Sequence, residues 1–511
     1  MHHVSLIIEF LRGRPKVVFW AVALTQAALW TIVPLLFYSA PPGGLAVNLA
    51  IGHEFVLGSY LGPPLAFWLG EIAFRFGGLF GVYVLSQACI VTAFWAVFTL
   101  GRSVVGTRHA VLGILLMAGV AVFAVPSPEF GPAILAAPLW ALALLYYWRA
   151  AGLSQHGAWF LLGVDLGLLL LTSYVGLILA TLLIAFTLAT RRGRRVLTRP
   201  EPWLGLLLFA IVAFPHAAWL YRARDFVLSE FNAAALVSGT MSSGVWLIIA
   251  LVAAHLGLAL IIALASGWPR QKRERAPEID RPPAETFAKR YVYFFALAPA
   301  AAAITVAFAN GRLLNFGMIT SFAALAPLVL LSGLAVVVAV GDRALLYREQ
   351  LVSSSWAALL VAPPLLVVVS LGVMPWTLAK DMRIAQPAKD EAQFFADSYQ
   401  RRIGKPPAFV TGDERLAPTI ALLAPNSRQS RPRVFFAWAP QRSPWASVDD
   451  VASQGAVLVW PAENTNAPPA DLKTQFPAMV PELPRAFART IQGRLPPVRL
   501  GWSVLRPRAT P

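Results

Sequence analysis

Cysteine is nearly missing. Cys89 is the single one in 511 residues, so no intrachain disulfide can form and a disulfide framework is excluded. In its apolar run Cys89 reads as a small buried hydrophobe. Charge is scarce too: 13% of residues are charged, about half the share of an ordinary soluble domain. Acids are the scarcer sign, 25 Asp and Glu against 42 Lys and Arg, so few carboxylates are left for chemistry outside the apolar runs. There is no Walker loop, no G-x-G-x-x-G after a strand and no G-x-S-x-G. ATP-driven transport and a hydrolase nucleophile elbow are thereby disfavoured. Seven histidines fall at no zinc-type spacing, and His2-His3 is a lone terminal pair. The N-terminus lacks a small-residue cleavage site after its first apolar run, so VVFWAVALTQAALWTIVPLLF is expected to remain as the first span.

What the sequence does have is apolar length. Hydrophobic residues make up 58% of it, in runs near ~20 residues, each able to cross ~30 Å of hydrocarbon. The pattern predicts a polytopic α-helical membrane protein with roughly eleven spans. They fall near 17–37, 79–100, 109–125, 134–150, 157–172, 173–190, 203–221, 244–266, 290–309, 317–341 and 355–376. The net charge is +17, and twelve of the 42 Lys and Arg cluster in two loops between spans. One holds Arg191, Arg192, Arg194, Arg195 and Arg199; the other holds Arg270, Lys272, Arg273, Arg275, Arg281, Lys289 and Arg290. That is the positive-inside pattern, and it needs no nucleic acid, only anionic headgroups. The N-terminus is then cytoplasmic, and an odd number of spans places the C-terminus outside. From residue 377 prolines, charges and short alternating segments replace the apolar runs. AKDEAQFFADSYQRR has helical spacing, and PAFVTG and GAVLVW read as strands. The domains are thus 1–376, transmembrane, and 377–511, a small extracytoplasmic α/β domain.

The first outer loop, 38–78, contains SYLGPPLAFW. Proline is tolerated at a helix start, so Pro63 and Pro64 introduce the helix LAFWLGEIAFRFGG, and Gly77 and Gly78 stop it. Phe67 and Trp68 suit the water–lipid interface, which makes this an interfacial helix. Glu71 and Arg75, four apart, share a face and can pair. Asp165 and His255 lie inside apolar runs and are read as structural, paired or bonded to a backbone carbonyl.

The segment PPGGLAVNLAIGHEFVLGSYLGPPLAFWL, with Tyr60 to Leu65 as its aromatic-x-x-Pro-Pro-Leu element, resembles the first outer loop of family-39-type, aminoarabinose-transferase-like glycosyltransferases, which are integral-membrane (C-type) enzymes. SPEFGPAILAAPLWALALLYYW, LGLLLLTSYVG, TRPEPWLGLLLFAIVAFPHAAWL and, in the tail, FVTGDERLAPTIALLAP and RSPWASVDDVASQGAVLVW are similar to segments of bacterial members. The resemblance implies a C-type glycosyltransferase fold with a periplasmic C-terminal domain in a bacterial inner membrane. It implies transfer of a sugar from a polyprenyl-phosphate carrier to an extracytoplasmic glycan, lipid or protein, beside membrane lipid. The acceptor needs a general base, and the leaving phosphate needs cations or a divalent metal that would use carboxylates and lipid phosphate.

Glu54 and Glu129 are the candidate bases, each of which can equally cap or pair locally. Arg222, Arg224 and Arg312 are the candidate phosphate ligands, or else headgroup anchors at span ends. Tyr60, Pro63 and Pro64 would shape the cavity. Several polar positions of the family pattern are emptied: Gly44, Val47, Leu61, Gly62, Gly131, Pro132, Ala133 and Ser173 stand there. These losses support the alternative, a catalytically silent relative that binds a lipid-linked sugar or a partner protein. A lipid transporter would show paired repeats or broken helices at matching positions, and neither is visible.

Overall fold

Long unbroken apolar stretches with no backbone partner outside themselves must close their hydrogen bonds as helices, and the computed structural model is built that way. It describes residues 13–124, 128–237, 240–266, 284–310, 322–340, 349–380, 382–462 and 467–508. Among these, seven helices are long and apolar enough to cross a membrane: Pro15–Phe37, Leu65–Val105, Pro132–Gly152, Glu201–Arg222, Gly244–Ala263, Thr286–Ala309 and Leu360–Thr377. Four shorter apolar helices are Thr107–Ala118, Ala158–Leu170, Gly176–Ala189 and Ala323–Ala339. The eleven expected spans therefore fall on seven full-length helices and four that are short of the ~20 residues a crossing takes.

The chain divides into two compact units. One comprises Met1–Thr31, Leu61–Leu65 and Val84–Pro364; the other comprises Ile32–Tyr60, Ala66–Tyr83 and Leu365–Pro511. The first is helical and aromatic at its centre. Tyr147 stacks on Tyr291 at 6.0 Å, and Phe186 meets Tyr291 and Phe295 at 5.6 and 5.4 Å. Their polar ends are satisfied: Tyr147 Oη bonds Thr187 Oγ1 at 2.8 Å, and Tyr291 Oη donates to Leu144 O at 2.7 Å. Glycines at 163 and 205 let helices Ala158–Leu170 and Glu201–Arg222 touch backbone to backbone, since a Cβ on Gly163 would run into Gly205 O. His255 donates from Nδ1 to Leu251 O at 2.7 Å and accepts at Nε2 from Ser332 at 3.0 Å, the backbone-bonded role expected of it. Asp165 is buried, makes no ion pair among the described residues, and leaves Oδ2 without a partner. Cys89 is buried.

The second unit contains the tail domain. Helix Ala388–Ile403 ends on Gly404, whose φ of 82° closes the last turn. A five-stranded sheet follows, made of β1 (Phe409–Gly412), β2 (Arg433–Phe435), β3 (Ala456–Pro461), β4 (Arg485–Phe487) and β5 (Val498–Leu505), in the order β2-β1-β3-β5-β4. β2, β1 and β3 are parallel, and β5 runs antiparallel to β3 and β4. Parallel strands are covered on both faces, hence the fully apolar AVLVW of β3. Phe409, Phe435, Leu458, Trp460 and Phe476 form the core against one face. The expected strands 407–412 and 455–460 are β1 and β3.

Candidate functional site

The same unit draws the first-loop residues Ile32–Tyr60 and Ala66–Tyr83 together with the tail domain. Helix Leu45–His53 approaches the helix that begins at Leu65 because position 52 is glycine: a Cβ there would strike Phe67 O. Pro63 and Pro64 precede that helix, with Pro64 at its N-cap. Gly78, at φ 59° and ψ −148°, breaks it, a conformation open to glycine. Trp68 Nε1 ties the loop back by donating to Val56 O at 3.0 Å.

Both first-loop carboxylates are bound by tail arginines. Glu54 accepts from Arg433 Nε at 3.0 and 3.1 Å and from Nη2 at 2.6 Å, a bidentate fork. Arg433 Nη2 also donates to Trp445 O at 3.0 Å, and the Glu54 hydrogen bond raises the Arg433 guanidinium above its ordinary value. Glu71 accepts from Arg75 Nε at 2.8 Å, contacts His53 Nδ1 at 3.1 Å, and forms an ion pair with Arg431 in which both side chains are 2% exposed. Arg431 Nη2 also reaches Leu49 O at 3.3 Å, and its guanidinium lies 5.0 Å from the Phe74 ring. Burial pulls the Arg431 guanidinium below the usual arginine value, and Glu71 opposes that. The expected Glu71–Arg75 pair is thus one edge of a larger cluster.

Arg428 caps the broken helix by donating to Phe76 O at 2.7 Å. With Lys389 it supplies the cationic side of a cavity of about 600 Å³, whose other walls include Tyr38, Phe74, Tyr83 and Gln393. Arg442 lies 4.5 Å over the Tyr60 ring, which meets Phe436 edge-on at 5.7 Å.

The other candidates belong to the first unit. Glu129 sits in the turn before helix Pro132–Tyr147, where Phe130 N donates to Pro128 O at 2.9 Å. It is half-buried, makes no ion pair or hydrogen bond among the described residues, and burial pushes its carboxyl up to about 7. Arg222 and Arg224 are exposed at and just past the end of helix Glu201–Arg222. Arg224 leans over Tyr221 at 5.6 Å and lies 3.7 Å from Asp225. Arg312 lies outside the described residues. No three His, Cys, Asp or Glu side chains converge as a metal site among the described residues.

Of the arginines that engage Glu54 and Glu71, Arg75 was singled out from the sequence, but Arg431 and Arg433 were not. Their signal was there: RQSRPRVFF places three cations in six residues, 428–433, the last of them opening the strand β2.

Comparison with known proteins bears on the fold. Residues 62–219 match the family Dolichyl-phosphate-mannose-protein mannosyltransferase. The sequence matches no curated protein. Among solved structures, ArnT from Cupriavidus metallidurans bound to undecaprenyl phosphate superposes with a TM-score of 0.58 at 14% identity, over 97% of this chain and 99% of that one. Its apo state gives 0.57 at 14%, over 96% and 97%. The Archaeoglobus fulgidus oligosaccharyltransferase in complex with Zn and sulfate aligns at 0.45 and 14%, over 80% of this chain and 61% of that one, a score that adds nothing to the fold. The chain therefore has the C-type integral-membrane glycosyltransferase fold, as its first-loop resemblance implied, and its segment 62–219 matches the dolichyl-phosphate-mannose-protein mannosyltransferase family.

Proposed function

We propose that the protein transfers a sugar from a polyprenyl-phosphate donor to an acceptor outside the cytoplasm. The acceptor hydroxyl or amine attacks the anomeric carbon, the bond from that carbon to the phosphate oxygen breaks, and polyprenyl phosphate leaves. The acceptor proton passes to the Glu129 carboxylate. Glu129 carries the reading: an acid with no charge partner and a raised pKa of about 7 is poised as a base near neutral pH. Glu54, held by Arg433, is less suited, because its lone pairs are already engaged by a cation. Arg222, Arg224 and Arg312 are the proposed phosphate ligands, with a membrane-embedded isoprenoid tail. The chain would lie in a bacterial inner membrane with residues 377–511 periplasmic. The test is Glu129→Gln in vesicles supplied with radiolabelled undecaprenyl-phosphate-linked sugar from host membranes. Transfer should fall by about a hundredfold or more, as loss of a general base does; undiminished transfer refutes the assignment.

A second reading has its own support. With Glu54 and Glu71 both paired to arginine, neither first-loop carboxylate is free to take a proton, which suits a silent relative that binds a lipid-linked sugar or a partner protein. Donor binding with no turnover in the wild-type chain would favour it.

A further inference from the structure

The tail sheet has a topological switch that neither catalysis nor the ion-pair cluster uses. From β1 the chain passes through helix Leu416–Leu423 to β2 on one side, then through helix Val448–Gln454 to β3 on the other. Open α/β sheets bind ligands in the crevice outside the carboxyl ends of the strands at such a point. Here a cavity of about 280 Å³ lies there, lined by Gly412 and Asp413 after β1, Trp460 and Pro461 at the end of β3, and Trp438, Glu414 and Asp471. Gly412, at φ 124°, is what lets the chain leave β1 at this angle, since a Cβ would run into Val459 O.

The lining defines the ligand. It holds three carboxylates and no cation, so phosphates and anionic sugars are repelled. Those carboxylates do not converge as a metal site. Asp413 is spent on its own helix, its Oδ1 accepting from Arg415 N at 2.9 Å and Leu416 N at 3.0 Å. Glu414 and Asp471 remain as acceptors. The indole Nε1 atoms of Trp438 and Trp460 are buried and have no hydrogen-bond partner, whereas a buried Trp N–H ordinarily finds one. Trp460 packs across Gly501 and serves as floor, which leaves Trp438 to donate. A ligand must therefore offer hydroxyl donors to carboxylates, an oxygen acceptor to an indole N–H, and a C–H face to an aromatic ring. An organic cation suits the carboxylates and the ring face but offers no acceptor to the indole N–H. The volume is at the small end for ligand pockets, suited to a single ring and not to a lipid.

We propose that this crevice is a binding subsite for an uncharged saccharide, gripped by Trp438, Glu414 and Asp471. The subsite stands independently of the Glu129 reading, and Glu129→Gln leaves it intact. The experiment is saturation-transfer NMR on the full chain in nanodiscs, with glucose, galactose and N-acetylglucosamine as neutral probes and tetramethylammonium as the cationic one. At least one neutral sugar should bind, and Trp438→Phe, which keeps the ring and removes the N–H, should weaken it about three- to tenfold, the loss of one hydrogen bond. The pair Glu414→Gln and Asp471→Asn should do the same. Both residues are exposed, so that variant remains readable if Trp438→Phe fails to fold by circular dichroism. The proposal is overturned if none of the three sugars binds, if only tetramethylammonium does, or if sugar binding is unmoved by the folded variants.

Discussion

Arg431→Met tests whether the buried ion pair holds the loop helices to the tail domain. Arg431 and Glu71 are each 2% exposed. Taking two charges out of water is costly, and removing one partner of a buried pair costs about 3–5 kcal/mol, because the survivor is left uncompensated. Glu71 would keep Arg75 at 2.8 Å and His53 at 3.1 Å, so the expected loss is at the low end, about 3 kcal/mol. At about 2–4 °C per kcal/mol for a unit of this size, the apparent melting point should fall by roughly 6–12 °C. The reading is intrinsic fluorescence in detergent at one fixed scan rate. Arg431 Nε and Nη1 have no partner, so the pair is imperfectly repaid. The double variant Arg431→Met with Glu71→Gln should therefore recover more than half of the loss. Arg402→Ala is the control: its pair with Glu482 is exposed, at 39% and 31%, and exposed pairs contribute about 1 kcal/mol or less. If Arg431→Met melts no lower than Arg402→Ala, or the double variant recovers nothing, the buried-charge argument fails.

Glu54→Gln should lower the melting point modestly and leave sugar transfer within a few-fold of wild type, and Arg433→Lys should do the same because a single ammonium cannot replace the bidentate fork. A collapse of transfer without a change in melting would make Glu54 the base instead. Burial raises the folded Glu129 carboxyl from 4.5 to about 7, so its ionisation opposes folding: its contribution to stability is fullest below about pH 4.5 and is lost as pH climbs to about 7. Urea titrations should show that slope flattened in Glu129→Gln, while wild-type transfer should rise with pH to a plateau above about 7. Gly412→Ala should unpair β1 from β3, at a cost of about 2 kcal/mol or more for a residue strained both in φ and in space. Hydrogen exchange at Val457 and Val459 should speed up accordingly.

Helices were legible from apolar length alone, because a segment that cannot reach water must satisfy its own backbone. β1 and β3 were legible for a related reason: FVTG and AVLVW are buried on both faces and read as continuous apolar runs. β4 and β5 were harder. RAF and VRLGWSVL carry arginines on exposed positions at the antiparallel side of the sheet; three residues are too few to show a period, and the eight of β5, buried at six positions, do not alternate. The site was legible only within one helix turn. Glu71 and Arg75 share a face by spacing, whereas Arg431 and Arg433 meet Glu71 and Glu54 across 360 and 379 residues. No local pattern encodes a partner at that separation; only the excess of cations before a buried strand hinted that they needed one.

That long-range pairing changes how the acids of this chain should be weighed. A general base must have a lone pair free for the incoming proton, and the arginine contacts already occupy lone pairs on both carboxylate oxygens of Glu54 and of Glu71. By that measure Glu54 and Glu71 are poor bases however near an acceptor comes, and they are good anchors because each is charged, enclosed and matched. Glu129 has the opposite profile: no cation, partial burial and a weakened acidity. A protein short of acids has spent two on holding its loop to its tail, whereas Glu129, in the turn before helix Pro132–Tyr147, has no cation beside it among the described residues. If the fold catalyses, that unspent carboxyl is where the proton goes. Glu54→Gln, alone or combined with Arg433→Met, should then leave turnover within a few-fold of wild type, while no change at the loop–tail cluster should rescue Glu129→Gln.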